Sequence, residues 1–129
     1  MATPASIPPI DGCEISQESG YLRALVAGTR ADDVQECYRA IANECIQRQC
    51  RRILIIGRSG SDAFAHLAGR DALRSMAVAG MPQGFRLAFI AATPDLIAVF
   101  DTAVVEARRL GIEARRFKNE KDALAWLSQ

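Results

Sequence analysis

The stretch Arg-Ile-Leu-Ile-Ile-Gly-Arg-Ser-Gly-Ser-Asp, residues 52 to 62, constrains the fold more than any other part of the chain. Four consecutive apolar residues, three of them β-branched, make a strand that is buried on both faces, and such strands belong to the middle of a parallel sheet. Gly57 ends the run, and the small polar residues after it can turn the chain and cap a following helix. Ligand and modification sites of open α/β sheets gather at the carboxyl ends of such strands. The turn made of Arg58, Ser59, Gly60, Ser61 and Asp62 is therefore the candidate regulatory or anion-binding site.

The rest of the chain divides by its periodicity. Cys13 to Glu18 and Tyr21 to Gly28 read as strands joined by Ser19-Gly20, a short turn whose glycine suits positive φ, so they form a hairpin. From Ala31 to Cys50, Val34, Cys37, Tyr38, Ile41, Ala42 and Cys45 recur at helical spacing, and the acidic start and basic end match the helix dipole. Asp62 to Ala79 reads as a helix that Gly69 bends or divides. Phe85 to Ala91 is a strand. Thr93-Pro94 then places an N-cap before a proline at the first helical position of a helix that Gly111 stops, with Leu96, Phe100, Ala103, Ala107 and Leu110 on one face. Ile112 to Phe117 is the last strand, and Asn119 caps a terminal helix burying Ala123, Leu124 and Leu127, with Trp126 beside them.

The order β-β-α-β-α-β-α-β-α predicts an α/β domain with a mainly parallel five-stranded sheet and one antiparallel N-terminal strand. At 129 residues, half of them hydrophobic, one core suffices, so residues 13–129 form one domain after a flexible tail over residues 1–12. That Pro- and Ala-rich tail lacks the basic and apolar regions of a signal peptide, and no apolar run approaches the roughly 20 residues of a membrane span. The protein is expected to be soluble and cytoplasmic. The four cysteines, Cys13, Cys37, Cys45 and Cys50, show neither a CxxC pair nor metal-ligand spacing and are expected to stay reduced. A formal charge of +1 gives no reason to expect nucleic acid or an anionic membrane as partner.

The element order, with Met81-Pro82-Gln83-Gly84-Phe85-Arg86-Leu87-Ala88 leading into a strand and Arg116-Phe117-Lys118-Asn119-Glu120 followed by Ala123-Leu124-Ala125-Trp126-Leu127, resembles the SpoIIAA-like fold. That fold is shared by STAS domains, anti-sigma-factor antagonists and CRAL-TRIO lipid-binding domains, and the nearest resemblance is to small stand-alone bacterial STAS-like proteins of unassigned function. The resemblance covers residues 13 to 128 and rests on structural motifs, which inform fold more than function. It implies a regulatory module that acts by protein contact, a homodimer included. In the anti-sigma antagonists a serine in an Asp-Ser-Ser-Gly turn after the central strand is phosphorylated. Here Arg58 stands in place of the aspartate and Gly60 separates Ser59 from Ser61.

No catalytic constellation is evident in the sequence. Gly57 to Asp62 has neither the lysine of a P-loop nor the GxGxxG of a dinucleotide site, and Ser61 replaces the last glycine of a nucleophile elbow. The single histidine, His66, lies two turns into a helix, away from Ser59, and is no metal site alone. No cofactor is expected. Cys50, flanked by Arg48, Arg51 and Arg52, is the one thiol with a basic setting. Arginine clusters at 48–52, 108–109 and 115–116 read as solvated ends and caps, and Arg23, Arg86 and Arg115 interrupt apolar strands as if meeting solvent or another subunit. The alternative to protein contact is a small-ligand domain holding an acyl chain or an anion at the carboxyl edge of the sheet.

Overall fold

The computed structural model describes residues 12–27, 31–58 and 84–129. These residues form, in chain order, β1 (Cys13–Gln17), β2 (Leu22–Val26), α1 (Ala31–Arg48), β3 (Arg52–Gly57), β4 (Arg86–Ala91), a 3-10 turn (Pro94–Leu96) that runs into α2 (Ile97–Arg109), β5 (Glu113–Phe117) and α3 (Glu120–Leu127). The expected helix over Asp62 to Ala79, and the expected tail apart from Gly12, lie outside the described residues.

The strands form one five-stranded sheet in the order β1-β2-β3-β4-β5. β1 pairs antiparallel with β2, and the other three pairings are parallel. The hairpin turn is the expected Ser19-Gly20, closed by the Glu18 N–H donating to the Tyr21 carbonyl at 2.8 Å, with Gly20 at φ 86°. β3 is central, and five of its six residues are buried, because helices cover the sheet on both faces.

Alternation along the strands sorts two cores. On the first face Leu22, Ala24, Val26, Ile53, Ile55, Leu87, Phe89 and Ala114 pack against Val34, Cys37, Tyr38, Ile41 and Cys45 of α1 and Phe100, Val104 and Ala107 of α2. On the second face Leu54, Ile56, Ala88 and Ile90 meet Ala123, Trp126 and Leu127 of α3. Gly57, at the end of β3, has a packing role. A Cβ there would stand 2.7 Å from Phe100 Cε2, closer still to Phe100 Cζ, and 3.1 Å from Leu96 Cδ1. The aromatic ring occupies the space a side chain would need.

The helix ends follow their sequence signals unevenly. Asn119 caps α3 as expected, its side-chain oxygen accepting from the Asp122 N–H at 2.9 Å. Thr93 is extended, but its side chain makes no cap hydrogen bond, and the first turn after it is 3-10 rather than α. Gly111, at φ 85°, ends α2 in a Schellman motif, with its N–H on Arg108 O and the Ile112 N–H on Ala107 O. The end of α1 has the same pattern, Gln49 N–H to Ile46 O and Cys50 N–H to Cys45 O, with Gln49 taking the left-handed position at φ 53°. A glutamine gives no sign of a helix stop, which explains why the sequence reading carries this helix on to Cys50.

Candidate functional site

Of the candidate turn, Arg58 is described. It is exposed, and its N–H donates to the Val26 carbonyl at 2.9 Å, extending the β2–β3 ladder by one bond. Ser59, Gly60, Ser61 and Asp62 lie outside the described residues, as does His66.

The polar side-chain geometry that is described is concentrated on the second face, around α3. The register places three rows of side chains across it. Arg52, Arg86 and Glu113 are cross-strand neighbours in the first row, Arg23, Leu54, Ala88 and Arg115 form the second, and Leu25, Ile56, Ile90 and Phe117 the third. Polarity therefore falls from the amino to the carboxyl ends of the parallel strands. The reason lies in α3, an eight-residue helix whose last carbonyls have no partner within the helix. The Arg52 guanidinium donates to Leu127 O and, at 3.0 Å, to Gln129 O. Arg86 donates to Trp126 O at 2.8 Å and Gln129 O at 3.1 Å, while its guanidinium carbon sits 5.4 Å from the Trp126 ring centroid. Two cations at the carbonyl end also oppose the helix dipole's negative pole.

The other end of α3 is held by Arg23, which binds Glu120 with two hydrogen bonds of 3.1 Å. This bidentate contact holds the Glu120 carboxyl below its ordinary pKa and raises that of Arg23. Of the three arginines that interrupt the strands, Arg23 and Arg86 thus meet a helix of their own chain, and Arg115 lies over the Phe117 ring two residues on, 5.5 Å from its centroid. The reading of basic clusters as caps and solvated ends fits Arg48 on Glu44 (2.6 Å), Arg108 on Ala114 O (3.2 Å) and Arg116 on Asp101 (2.7 Å).

Two cavities flank the carbonyl end of α3. One, of about 500 Å³, opens between the hairpin turn and the helix and is lined by Ser19, Gly20, Tyr21, Arg52, Leu124, Leu127 and Ser128. The Tyr21 phenol there titrates above its ordinary value, chiefly through burial and then through the Glu18 and Glu120 carboxylates. The other, of about 410 Å³, lies under Trp126 beside Arg108, Ile112, Glu113 and Arg115. Both lie at the amino ends of the parallel strands, opposite the edge singled out from sequence. No run of residues signals them, because they lie beside the short α3, where segments far apart in the chain meet.

The cysteines require a correction. Cys13 of β1 and Cys37 of α1 form a disulfide with Cα atoms 5.6 Å apart, so the expectation of four reduced thiols fails for this pair. The physical reason is parity: Cys13 and Ile15 point to the first face, where Cys37 also points from the helix above. Cys45 is a buried thiol whose pKa burial drives up, and Cys50, half-buried, donates its S–H to Arg52 O at 3.3 Å. Among the described residues no three His, Cys, Asp or Glu side chains gather as a metal site, and no helix is long and apolar enough to cross a membrane. The fold and site define an α/β domain with a helix-capping arginine cluster. Comparison with protein-family models, curated proteins and solved structures found no match in any of the three.

Proposed function

We propose that the chain is a non-enzymatic module of the STAS-like kind that works by protein contact, with a second copy of itself as the first partner. The observation that carries this reading is the outward side of α2. Ile97 and Val105, 39% and 52% exposed, stand two turns apart on it, with exposed Ala98 beside Ile97 and exposed Asp101 and Thr102 between them. The strip has an acidic first half, Asp95 and Asp101, and a basic end, Arg108 and Arg109. Two such helices packed antiparallel about a twofold axis would bring the acidic half of each towards the basic end of the other, with Ile97 and Val105 as their apolar contacts. In this reading the turn from Arg58 to Asp62 is the regulatory element, with Ser59 or Ser61 as phosphate acceptor and Arg58 as counter-charge. Sizing by light scattering tests the contact: dimers that Ile97→Glu and Val105→Glu convert to monomers are expected. A wild-type chain that stays monomeric at its highest soluble concentration would reject it.

A second reading is favoured by the cavity at Tyr21, Leu124 and Leu127. Its mixed lining, apolar at Leu124 and Leu127 and polar at Arg52, Ser19 and Ser128, suits a small amphipathic ligand, within the size range of such sites. This reading is a ligand site at the amino edge of the sheet, distinct from the acyl-chain or anion site expected at the carboxyl edge. Native mass spectrometry separates the readings: a retained small molecule lost in Leu124→Trp, which fills the cavity, favours binding.

A further inference from the structure

β1 is the least anchored strand of the sheet. It is five residues long, lies at the edge of the described sheet, pairs among the described residues with β2 alone, and has three exposed side chains, Glu14, Ser16 and Gln17. Its apolar contacts with the first core come from Cys13 and Ile15, both partly buried. The one covalent tie is the bridge from Cys13 to Cys37, 24 residues on and in the second turn of α1. A tie across so many residues removes much of the freedom of the opened hairpin, so the strand's hold on the sheet depends on it.

The two cysteines differ in burial. Cys37 is 1% exposed, whereas Cys13 is partly exposed at the start of the edge strand. Fraying of that strand end would therefore open the bridge to an incoming thiolate from the Cys13 side. Among the chain's own thiols none is placed to supply that thiolate. Cys45 lies eight residues beyond Cys37, about 12 Å along the same helix, and is buried with its thiol pKa raised, while Cys50 lies five residues further on, past the end of that helix, with its S–H on Arg52 O. The reductant must come from outside.

We propose that Cys13 and Cys37 form a redox-responsive staple that holds β1 on the sheet when oxidised and releases it when reduced by an external dithiol. One thiolate of the dithiol attacks Cys13 Sγ, the Cys13–Cys37 bond breaks, and Cys37 leaves as a thiolate that takes up a proton. The second thiol of the reductant then attacks the mixed disulfide and frees Cys13 as a thiol. The chain gains two electrons and two protons, and the dithiol becomes a disulfide. With the tie gone, β1 is left with its ladder to β2 and the Ile15 contact. β2 to β5 keep the buried cores of both faces. Opening is therefore local to the edge strand.

The test uses the full chain purified without reductant. Alkylation and peptide mapping should find two free thiols, Cys45 and Cys50, and one Cys13–Cys37 bridge. Hydrogen exchange should then be compared before and after dithiothreitol. Exchange in the β1 peptide is expected to rise about tenfold or more on reduction, while β3 and β4 stay unchanged. Cys13→Ser, which cannot form the bridge, should exchange as fast as the reduced chain and be indifferent to dithiothreitol. Four free thiols in the air-oxidised chain would overturn the proposal. So would unaltered β1 protection on reduction, or loss of protection throughout the sheet, which would make the bridge a global rather than a local tie.

Discussion

The two faces of the sheet solve the problem of burial in different ways. On the first face, α1 and α2 bring 18- and 13-residue helices whose inward sides are almost wholly apolar, and contact is close enough that Phe100 fills the space above Gly57. On the second face, α3 has eight residues and three buried apolar side chains. A helix this short is not held by burial alone, and the sheet supplies the difference with arginines from β2, β3 and β4 that bind its carboxylate at one end and its carbonyls at the other. The first face is shaped by volume and the second by hydrogen bonds to charge. Both of these cavities border α3, the smaller cover among the described residues.

The largest effect should come from adding one methyl group to the first face. Gly57→Ala forces its Cβ into the Phe100 ring and should cost about 3 kcal/mol, since neither β3 nor the packed ring can move freely. Urea unfolding measures it. Combining it with Phe100→Leu, which opens space at the same point, should recover part of the loss, because touching residues are not additive. If the double variant is as unstable as the sum of the two singles, the ring is not what excludes a side chain at position 57. The only tryptophan, Trp126, lies on the second face, so its emission in the folded state should not change.

Arg86→Ala attacks the second face. It removes charged hydrogen bonds to Trp126 O and Gln129 O and the cation over the indole, leaving helix-end carbonyls without that donor. A loss of about 2 kcal/mol is expected, with a shift of Trp126 emission in the folded state. Arg86→Met keeps the apolar stem and should retain the packing but not the hydrogen bonds. A methionine variant as stable as wild type would mean that the stem alone holds α3 and that the faces differ less than their hydrogen bonds imply.

The fold was legible wherever one kind of residue could serve only one local structure. Ile53 to Ile56 could only be a strand covered on both sides, and Gly20 and Asn119 stand at the turn and the cap their chemistry favours. Legibility failed where a position is set by a distant partner. Gln49 adopts the left-handed conformation because the end of α1 and the start of β3 require a turn there, and no residue type announces it. Arg23 and Arg86 look like breaks in apolar strands until α3 is in place, and Cys13 and Cys37 look like unrelated thiols until strand parity and the helix face align. The candidate turn from Arg58 to Asp62 follows from its position at the end of β3. The described cavities border an eight-residue helix where segments far apart in the chain meet, which periodicity does not reveal.

The smallest effect is the most specific to the second face. Glu120 and Arg23 are both partly exposed, so their pair should contribute only about 0.5 kcal/mol, less as salt rises. The sign of its pH dependence follows from Glu120. Its folded pKa lies below its unfolded value of about 4.3, so the stabilisation is complete above that value and is lost as pH falls through the lowered folded pKa. Arg23, raised from an already very high value, stays charged throughout and adds no slope in this range. Glu120→Gln should therefore be less stable than wild type at neutral pH, and the two stability curves should converge at the acid end. A gap that persists there would assign the contribution to the shape of the side chain instead of its charge, and would make this end of α3 resemble the first face after all.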